Sequence, residues 1–319
     1  MSSSAAAISD PPVHIPPDTV SHDLVYAQAP TLWHLPPDVW EPVWQRVTGR
    51  GIKIAVLDTG YTKHAAGPEP IAERSFISGQ STRDGNGHGT HCAGTALGRR
   101  SSDGTPIGVA PEAELIVGKV LSDGGSGSSS GIAAGIRWAT DVGADVISMS
   151  LGGGGSYGPT NEAIDAAFEA GCVVNAAAGN AGYNGANTIG WPAKYGGCLC
   201  CAAYQRSGQI ANFSSGGSQI DWGCPGQDIV SFSTNGSGYR SMSGTSMATP
   251  FGSGILALIV ELMRREGQSE WTAAESVREF FKRNMRDSGA PGFDVRFGWG
   301  VPVASELVAA LANDALTFA

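Results

Sequence analysis

A serine in a short glycine-containing turn is the first feature of this sequence whose chemistry can be inferred. Ser246 lies two residues after Gly244 and shortly before an apolar run over residues 254–263, which predicts a helix that begins near the serine. The first turn of a helix carries backbone N–H groups without intrahelical acceptors, and its dipole favours negative charge. These groups would stabilise the oxyanion formed when the serine attacks a carbonyl carbon. Without partners, the same serine would be an ordinary N-cap.

Two upstream segments contain the residue types that activate a serine hydroxyl. Asp58 ends an apolar run over residues 52–57, and His88 lies in the sequence GHGTHCAGT of residues 87–95. An imidazole can accept the serine proton, and a buried carboxylate can fix the tautomer of that imidazole. Alone, Asp58 would be a polar cap at a strand end. Together with His88 and Ser246 it indicates nucleophilic catalysis on an acyl group.

These segments, together with AAAGN at residues 176–180, resemble the catalytic motifs of subtilisin-like serine peptidases. The resemblance extends from about residue 29 to about residue 311. It implies that Asp58, His88 and Ser246 are the catalytic triad and that Asn180 stabilises the oxyanion, with no cofactor needed for the chemistry. The layout is closest to members without a large prodomain, such as intracellular subtilisins. The expected function is therefore a serine endopeptidase acting on peptides or proteins.

The resemblance also implies how a peptide would bind. Two edge segments pair with an extended peptide as added strands, and they correspond here to Gly125, Ser126, Gly127, Ser150, Leu151 and Gly152. Gly179 would let the chain come close to the substrate. Gly190 corresponds to the floor of the pocket for the residue before the scissile bond, where a large apolar residue is therefore expected. Without the resemblance, these glycines would only shape loops.

Three positions depart from the family pattern. Ser129, with Ile132 behind it, stands where many relatives have an aromatic lid over the pocket for the fourth residue before the bond, which implies a wider or shallower pocket. Phe251 replaces a histidine that usually follows the proline of the serine motif. The loop after Asp58 lacks the carboxylate that helps the family bind calcium, which leaves Asp103 as a candidate ligand. No metal site is predicted, although a structural calcium ion stays possible.

The composition predicts an α/β fold. In 319 residues, 46 glycines are too many for a helical bundle, and 41% hydrophobic residues exclude a disordered chain. Apolar segments at residues 52–57 and 142–150 are typical of buried parallel strands, and residues 131–140 and 161–170 show helical patterns. This alternation favours a three-layer sandwich with a mostly parallel central sheet flanked by helices. Asp58 and Ser150 would lie at carboxyl ends of strands, where such sheets place their sites.

The chain divides into an N-terminal extension of residues 1–30 and a peptidase domain of residues 31–319. The extension is rich in Ser, Ala and Pro without periodicity, which favours a flexible arm. Alternatively, the sequence VHIP of residues 13–16 lies in the active-site cleft and blocks it, as a short extension does in intracellular members of the family. After the extension, Asp38 and Glu41 have capping-box spacing, and Trp40 and Trp44 would pack on the domain.

Charge and hydropathy exclude other classes of protein. The net charge is −9 and no basic cluster exceeds two adjacent residues, so nucleic-acid binding is not expected. The longest apolar run has about ten residues, too short for a membrane span. The N-terminus has neither a basic region nor an apolar core of a secretory signal. A cytoplasmic location is expected, or secretion if a leader has been removed.

Cysteines and rival functions complete the sequence-based expectations. Free thiols are expected at Cys198, Cys200 and Cys201, with a disulfide bond from one of them to Cys224 left open.

One alternative function is a peptidase dedicated to processing a peptide precursor, and another is a catalytically inactive homologue that binds peptides. A metallohydrolase built on Asp58, His88 and His91 would lack the glutamate base of a zincin, and His91 is expected to be structural.

Overall fold

The computed structural model describes residues 9–16, 20–26, 32–268, 271, 273–303 and 306. The helices are α1 (Pro37–Trp44), α2 (His88–Leu97), α3 (Ser129–Asp141), α4 (Gly158–Glu169), α5 (Thr245–Arg265) and α6 (Ala274–Asn284). The strands of the first half are β1 (Pro12–His14), β2 (Val20–Tyr26), β3 (Lys53–Asp58), β4 (Pro70–Ser75), β5 (Glu114–Lys119) and β6 (Ser126–Ser128). Those of the second half are β7 (Val146–Met149), β8 (Val173–Ala177), β9 (Leu199–Tyr204), β10 (Trp222–Pro225), β11 (Ile229–Phe232) and β12 (Tyr239–Ser243).

A seven-stranded sheet forms the middle layer, in the order β10-β9-β8-β7-β3-β5-β4, with every neighbouring pair parallel. Successive side chains of β3 point to opposite faces, so Leu57 approaches Gly135 of α3 while Asp58 approaches Gly89 of α2. Helices α2 and α5 pack together on one side, and α3 and α4 pack together on the other. The predicted three-layer α/β sandwich with a parallel central sheet is confirmed.

Glycines allow the buried helix α5 to pack closely against its neighbours. A Cβ on Gly254 would lie 2.5 Å from the Val109 Cβ and 2.9 Å from the Ala96 carbonyl oxygen. A Cβ on Gly252 would lie 2.6 Å from the Trp222 ring. Part of the high glycine content is thus explained by helix packing, because these positions have no room for a side chain.

The N-terminal arm, residues 9–26, contains two strands. β1 pairs antiparallel with β6, and β2 joins β12 and β11 in a separate antiparallel sheet. The expectation of a flexible arm is wrong for residues 12–14 and 20–26. Their hydrogen bonds are made with strands far along the chain, so no local periodicity reveals them. Residues 1–8, 17–19 and 27–31 lie outside the described residues.

Helix α1 begins at a proline and not at a capping box. It begins at Pro37, after an N-cap at Pro36 that makes no side-chain capping bond, so the capping box predicted at Asp38 and Glu41 is wrong. Proline at the first helical position sets the helix start, and Asp38 lies inside the first turn. Trp40 and Trp44 are buried, as predicted.

Two further segments differ from the sequence-based expectations. β7 begins at Val146 instead of residue 142, because α3 ends at Asp141 and the chain then turns at Gly143, which has φ +80°.

Helix α5 has the length and composition of a membrane span, which the apolar run of about ten residues did not reveal. However, 94% of its apolar window is buried inside the fold, so it has the features of a core helix.

All six cysteines are buried and free, which confirms the expected free thiols. Cys201 and Cys224 lie on neighbouring strands, β9 and β10, without a disulfide bond. Burial raises the pKa values of Cys198, Cys200 and Cys201, because the apolar surroundings disfavour the thiolate. These thiols are therefore unreactive packing groups.

Candidate active site

Asp58 and His88 form a buried hydrogen-bonded pair between the sheet and α2. Asp58 ends β3 and His88 begins α2, whose preceding residue Gly87 has φ +100°, a conformation suited to glycine. The His88 Nδ1 atom lies 2.8 Å from the Asp58 Oδ1 atom, and both side chains are 1% exposed. Nδ1 is therefore the donor to the carboxylate, and Nε2 is left as the acceptor. Nε2 has no hydrogen-bond partner among the described residues.

The environment of His88 favours its charged form. Burial lowers the pKa of His88, but the Asp58 carboxylate more than offsets this effect and raises the pKa well above the usual 6.5. An imidazolium ion is therefore stabilised at this position. A histidine that accepts a proton from a nucleophile needs this property.

Asp84 fixes the start of α2, and sequence reasoning missed it. Its Oδ1 atom accepts from the Thr59 hydroxyl at 2.9 Å and from the N–H groups of Asn86 and Gly87 at 3.0 and 2.8 Å. Its Oδ2 atom accepts from the N–H and hydroxyl of Thr90 at 2.8 and 2.7 Å. One carboxylate thus ties the first turn of α2 to the residue that follows Asp58. An aspartate shortly before a helix start was the available signal.

Ser246 is the second residue of α5 and lies beside the pair. The Cys92 thiol makes a weak hydrogen bond to the Ser246 carbonyl oxygen at 3.4 Å, and its sulfur is 3.9 Å from the His88 Nδ1 atom. Cys92 of α2 therefore touches both His88 and Ser246. The Ser246 hydroxyl donates to the Ser150 carbonyl oxygen at 3.4 Å rather than to His88.

Pro250 leaves the Ser246 carbonyl oxygen without its helical donor. A proline has no N–H group, so the bond from residue 250 to residue 246 cannot form. The Ser150 hydroxyl takes its place at 2.7 Å, together with the Cys92 thiol. The sequence indicated a distortion at Pro250, but it did not reveal these substitute donors.

Asn180 is held at the start of α5 by Thr245. The Asn180 Oδ1 atom accepts from the Thr245 N–H at 2.9 Å and from the Thr245 hydroxyl at 2.8 Å. Because the two amide atoms lie on opposite sides of the side chain, the Nδ2 donor is directed away from Thr245. Gly179, at φ +110°, makes the turn that brings Asn180 to this position. Thr245 was not singled out from the sequence.

The two predicted edge segments hold the arm between them. His14 exchanges both backbone hydrogen bonds with Gly152, at 2.9 and 2.8 Å, and the Ile15 N–H donates to the Gly125 carbonyl at 3.0 Å. Val13 pairs with Gly127. This antiparallel register places Pro16 opposite Ser150, whose carbonyl accepts the Ser246 hydroxyl. An extended chain in this register therefore runs toward Ser150, the residue whose carbonyl accepts from Ser246.

Comparison with known proteins decides the family. Residues 49–300 match the Subtilase family, the S8 peptidases. The chain belongs to the subtilase family. It is 42% identical to Subtilisin DY of Bacillus licheniformis over 218 residues, covering 68% of this chain and 79% of that protein. It is 43% identical to Subtilisin Savinase of Lederbergia lenta over 247 residues, covering 76% and 87%.

A third relative, an alkaline protease of Alkalihalobacillus alcalophilus, is 43% identical over 247 residues, or 76% of this chain and 61% of that protein. The resemblance inferred from the sequence is thereby confirmed, and this subtilase is a serine endopeptidase that acts on peptides or proteins. The comparisons do not support the cytoplasmic location expected from the N-terminal sequence, which stays a prediction.

The subtilase brings three glycines together beside Asn180. A Cβ on Gly179 would lie 3.8 Å from the Gly190 nitrogen, and a Cβ on Gly190 would lie 3.9 Å from the Gly152 Cα atom. Three neighbouring backbone positions beside Asn180 therefore carry no side chain. The buried Leu151 follows Ser150 on the adjoining edge.

The side chain of Val13 fills an apolar pocket farther along the cleft. Ser129 and Ile132 line it, as expected from the sequence, together with Thr160, Trp191 and Tyr195. The rings of Trp191 and Tyr195 in this lining lie 4.4 Å apart. Only about 10 Å³ of space remains beside Val13, which is 3% exposed. The sequence did not reveal this aromatic wall.

The third member of the metallohydrolase hypothesis, His91, is not assembled with Asp58 and His88. His91 Nε2 lies 3.0 and 3.2 Å from the carbonyl oxygens of Ile229 and Arg240, and burial lowers its pKa to about 3. Potential ligand atoms of Asp58, His88 and Cys92 do lie within 4.8 Å of one another. The carboxylate and the imidazole there already bind each other.

The loop that was the candidate calcium site is held by an arginine. Arg100 donates to the Gly104 carbonyl at 2.9 Å and to both carboxylate oxygens of Glu41 at 2.7 Å. Asp103 accepts from Ser101 and from the Thr105 N–H within the same loop, and these bonds lower its pKa. Residues that bring a guanidinium ion into the loop do not fit a bound calcium ion.

Proposed function

We propose that this subtilase hydrolyses peptide bonds with Ser246 as the nucleophile, His88 as the general base and Asp58 as the group that orients His88. The observation that supports the proposal is the way in which residues 13–16 bind in the cleft. Residues 13–15 pair with both edges of the cleft in an extended conformation, and continuing this register would put Pro16 opposite Ser150, whose carbonyl accepts from the Ser246 hydroxyl. A peptide substrate in the same register would present a carbonyl carbon to the serine.

The chemistry follows from the protonation states. His88 Nε2 accepts the Ser246 proton while Oγ bonds to the carbonyl carbon, and the imidazolium then donates that proton to the leaving amine as the C–N bond breaks. Water, deprotonated by the same nitrogen, attacks the acyl-enzyme and releases the acid and the free serine. Asp58 remains ionised and stabilises the imidazolium in both steps.

The proposed oxyanion donors are the Asn180 side-chain amide and the Ser246 N–H. Thr245 holds the amide through its oxygen, which supports a donor role for the nitrogen. In subtilisin, removal of the corresponding side-chain donor costs about 10²–10³ in turnover. The same loss is expected for Asn180→Leu.

We also propose that the enzyme prefers a large apolar residue before the scissile bond. The space left by Gly179 and Gly190, with Leu151 nearby, supports this preference. A Gly190→Val variant would fill part of that space. It should lose activity on Phe and Leu substrates and keep more of its activity on Ala substrates.

The arm is proposed to inhibit the enzyme. It occupies the cleft on the side that precedes the scissile bond, and proline follows proline at residues 16 and 17, a bond without an N–H group. Such a bond is a poor substrate for transfer of a proton to a leaving amine. Competition from the arm would therefore reduce activity without consuming the arm.

Labelling with a fluorophosphonate and measurement of intact mass tests the proposed triad. Val13→Glu places a charge in the apolar pocket and should release the arm, so we expect one adduct on this variant and slower labelling of the wild type. The double variant Val13→Glu/Ser246→Ala should not be labelled. An adduct that persists without the Ser246 hydroxyl, or no adduct on a folded Val13→Glu enzyme, would refute the proposal.

A further inference from the structure

The arm does not leave the cleft at Val13 but continues across the first turn of α3. The Pro11 carbonyl oxygen accepts from the Ser129 N–H at 3.1 Å and from the Ser129 hydroxyl at 2.9 Å. One residue earlier, the Asp10 carboxylate accepts from the Ser130 N–H at 2.9 Å and from the Ser130 hydroxyl at 2.6 Å. A chain in the cleft thus has a defined path beyond the pocket of Val13.

The hydroxyl groups at this turn are arranged to donate outward. Ser128, the N-cap of α3, accepts from the Gly131 N–H at 3.1 Å, and its oxygen lies 2.9 Å from that of Ser130. The Ser130 hydroxyl has one proton, which is used for Asp10, so the Ser128 hydroxyl must donate to Ser130. This chain of hydrogen bonds ends on the carboxylate. The 2.6 Å bond has the length of a charge-assisted contact.

The position at the N-terminus of a helix adds to the attraction. α3 has 13 residues, and the dipole of a helix of this length favours an anion at its first turn. The Asp10 carboxylate shows that an acidic group binds at this turn, and it belongs to a segment that occupies the cleft in extended form and lies 120 residues away in the chain. Any polypeptide in the same register would place a side chain here.

We propose that Ser130, with its hydroxyl supported by Ser128, forms a subsite for an acidic side chain at the seventh residue before the scissile bond. The count takes Pro16 as the first residue, which makes Asp10 the seventh. The preferred substrates are extended peptides with Asp or Glu at that position, and the arm uses the same subsite to hold itself in the cleft. The inference rests on the proposed function, because it extends the same cleft.

The test uses the full chain with Asp10→Ala and Val13→Glu, so that the arm vacates the cleft. Fluorogenic peptides that differ only at the seventh residue, Asp, Asn or Lys, are compared with a short peptide that ends at the fourth residue. We expect a KM about fivefold lower for the Asp peptide than for the Asn peptide, and a higher KM for the Lys peptide. Added salt should reduce these differences.

Variants at Ser130 locate the effect. Adding Ser130→Ala should remove most of the preference for Asp, and Ser130→Asp should reverse it in favour of Lys, while cleavage of the short peptide stays unchanged. Ser207→Ala, in an exposed turn after β9, is the matched control and should keep the preference. Equal KM values for the Asp and Asn peptides, or a preference that survives Ser130→Ala, would overturn the proposed subsite.

A binding measurement separates this inference from the proposed function. Fluorescence anisotropy of the labelled Asp and Asn peptides on the arm-released chain with Ser246→Ala reports the subsite without hydrolysis. Tighter binding of the Asp peptide supports the subsite even if no variant cleaves any peptide, a result that would contradict the proposed triad alone. Equal affinities contradict the subsite even if all peptides are cleaved.

Discussion

The charge on His88 decides the pH at which Ser246 can be activated. The Asp58 carboxylate raises the pKa of His88 above 6.5, and below that pKa the imidazolium cannot accept a proton. Activity is therefore expected to rise with pH through a midpoint above 6.5. In Asp58→Asn the midpoint should move to lower pH and the maximum rate should fall by about 10⁴. Profiles of kcat/KM against pH for both enzymes check this, and an unmoved midpoint would contradict the assigned cause.

The hydrogen bond from Ser150 to the Ser246 carbonyl oxygen should contribute to the stability of the fold. Ser150→Ala removes the 2.7 Å donor that replaces the missing N–H of Pro250, so the free energy of unfolding should fall by about 1–2 kcal/mol. Pro250→Ala restores a backbone donor, and the double variant should recover part of the loss. Urea unfolding of the wild type, the two single variants and the double variant measures the coupling free energy between residues 150 and 250. Additive effects would show that the two residues do not share this carbonyl.

Sequence reasoning at the residue scale found the groups whose chemistry is unusual and missed those that hold them. Asp58, His88, Ser246 and Asn180 could be proposed because their types and order match one mechanism. Asp84 and Thr245 are ordinary turn and helix-start residues in sequence. Their importance lies in hydrogen bonds to backbone and side-chain atoms that only the folded chain brings near.

At the scale of elements, Arg100 holds the loop between α2 and β5 in place. Arg100→Ala loses the bonds to Glu41 and Gly104 and the contact with the Trp44 ring, 5.4 Å from the guanidinium carbon. Because these groups are partly exposed, we expect a loss of about 1 kcal/mol and a decrease in Tm of about 2 °C. The exposed Arg99→Ala is the matched control.

Chelation gives a separate prediction for the same loop. Since the loop does not fit a calcium ion, EDTA should leave the Tm of the wild type unchanged, as measured by calorimetry. A chelator-induced decrease of several degrees, reversed by added calcium, would show that a bound ion stabilises the fold.

Helices and strands could be predicted where the local sequence has an apolar pattern, and they were missed where their order depends on distant partners. The strands that end at Asp58 and before Ser150 and the helices α3 and α4 have clear apolar patterns, so their type could be predicted. Strand β1 is ordered by pairing with β6, and β2 is ordered by pairing with β12. In the first pair, the two strands lie more than 100 residues apart in the chain. Such partners leave no trace in the local periodicity. The start of α1 differs from the prediction because Pro37, with its fixed φ, sets the first helical position ahead of Asp38.

For the whole molecule, the arm should act as a separable inhibitor. A peptide with the sequence of residues 9–18, SDPPVHIPPD, should inhibit the Val13→Glu enzyme competitively and remain intact. The same peptide with glutamate in place of its valine should be much weaker, because the pocket of Val13 is apolar and nearly full. Initial rates at several substrate concentrations, with mass spectrometry of the peptide, check both statements. Non-competitive inhibition would place the peptide elsewhere.

The pairing of β2 with β12 has a consequence for solution behaviour. β12 is the middle strand of its sheet only while the arm is in place, with β11 on its other side. A subtilase that has lost residues 9–26 presents an uncovered row of backbone donors and acceptors on β12, which ends immediately before Gly244. Such rows bind other extended chains. The activated enzyme should therefore associate with itself or with long unfolded polypeptides in a concentration-dependent way, so that release from inhibition and loss of colloidal stability occur together.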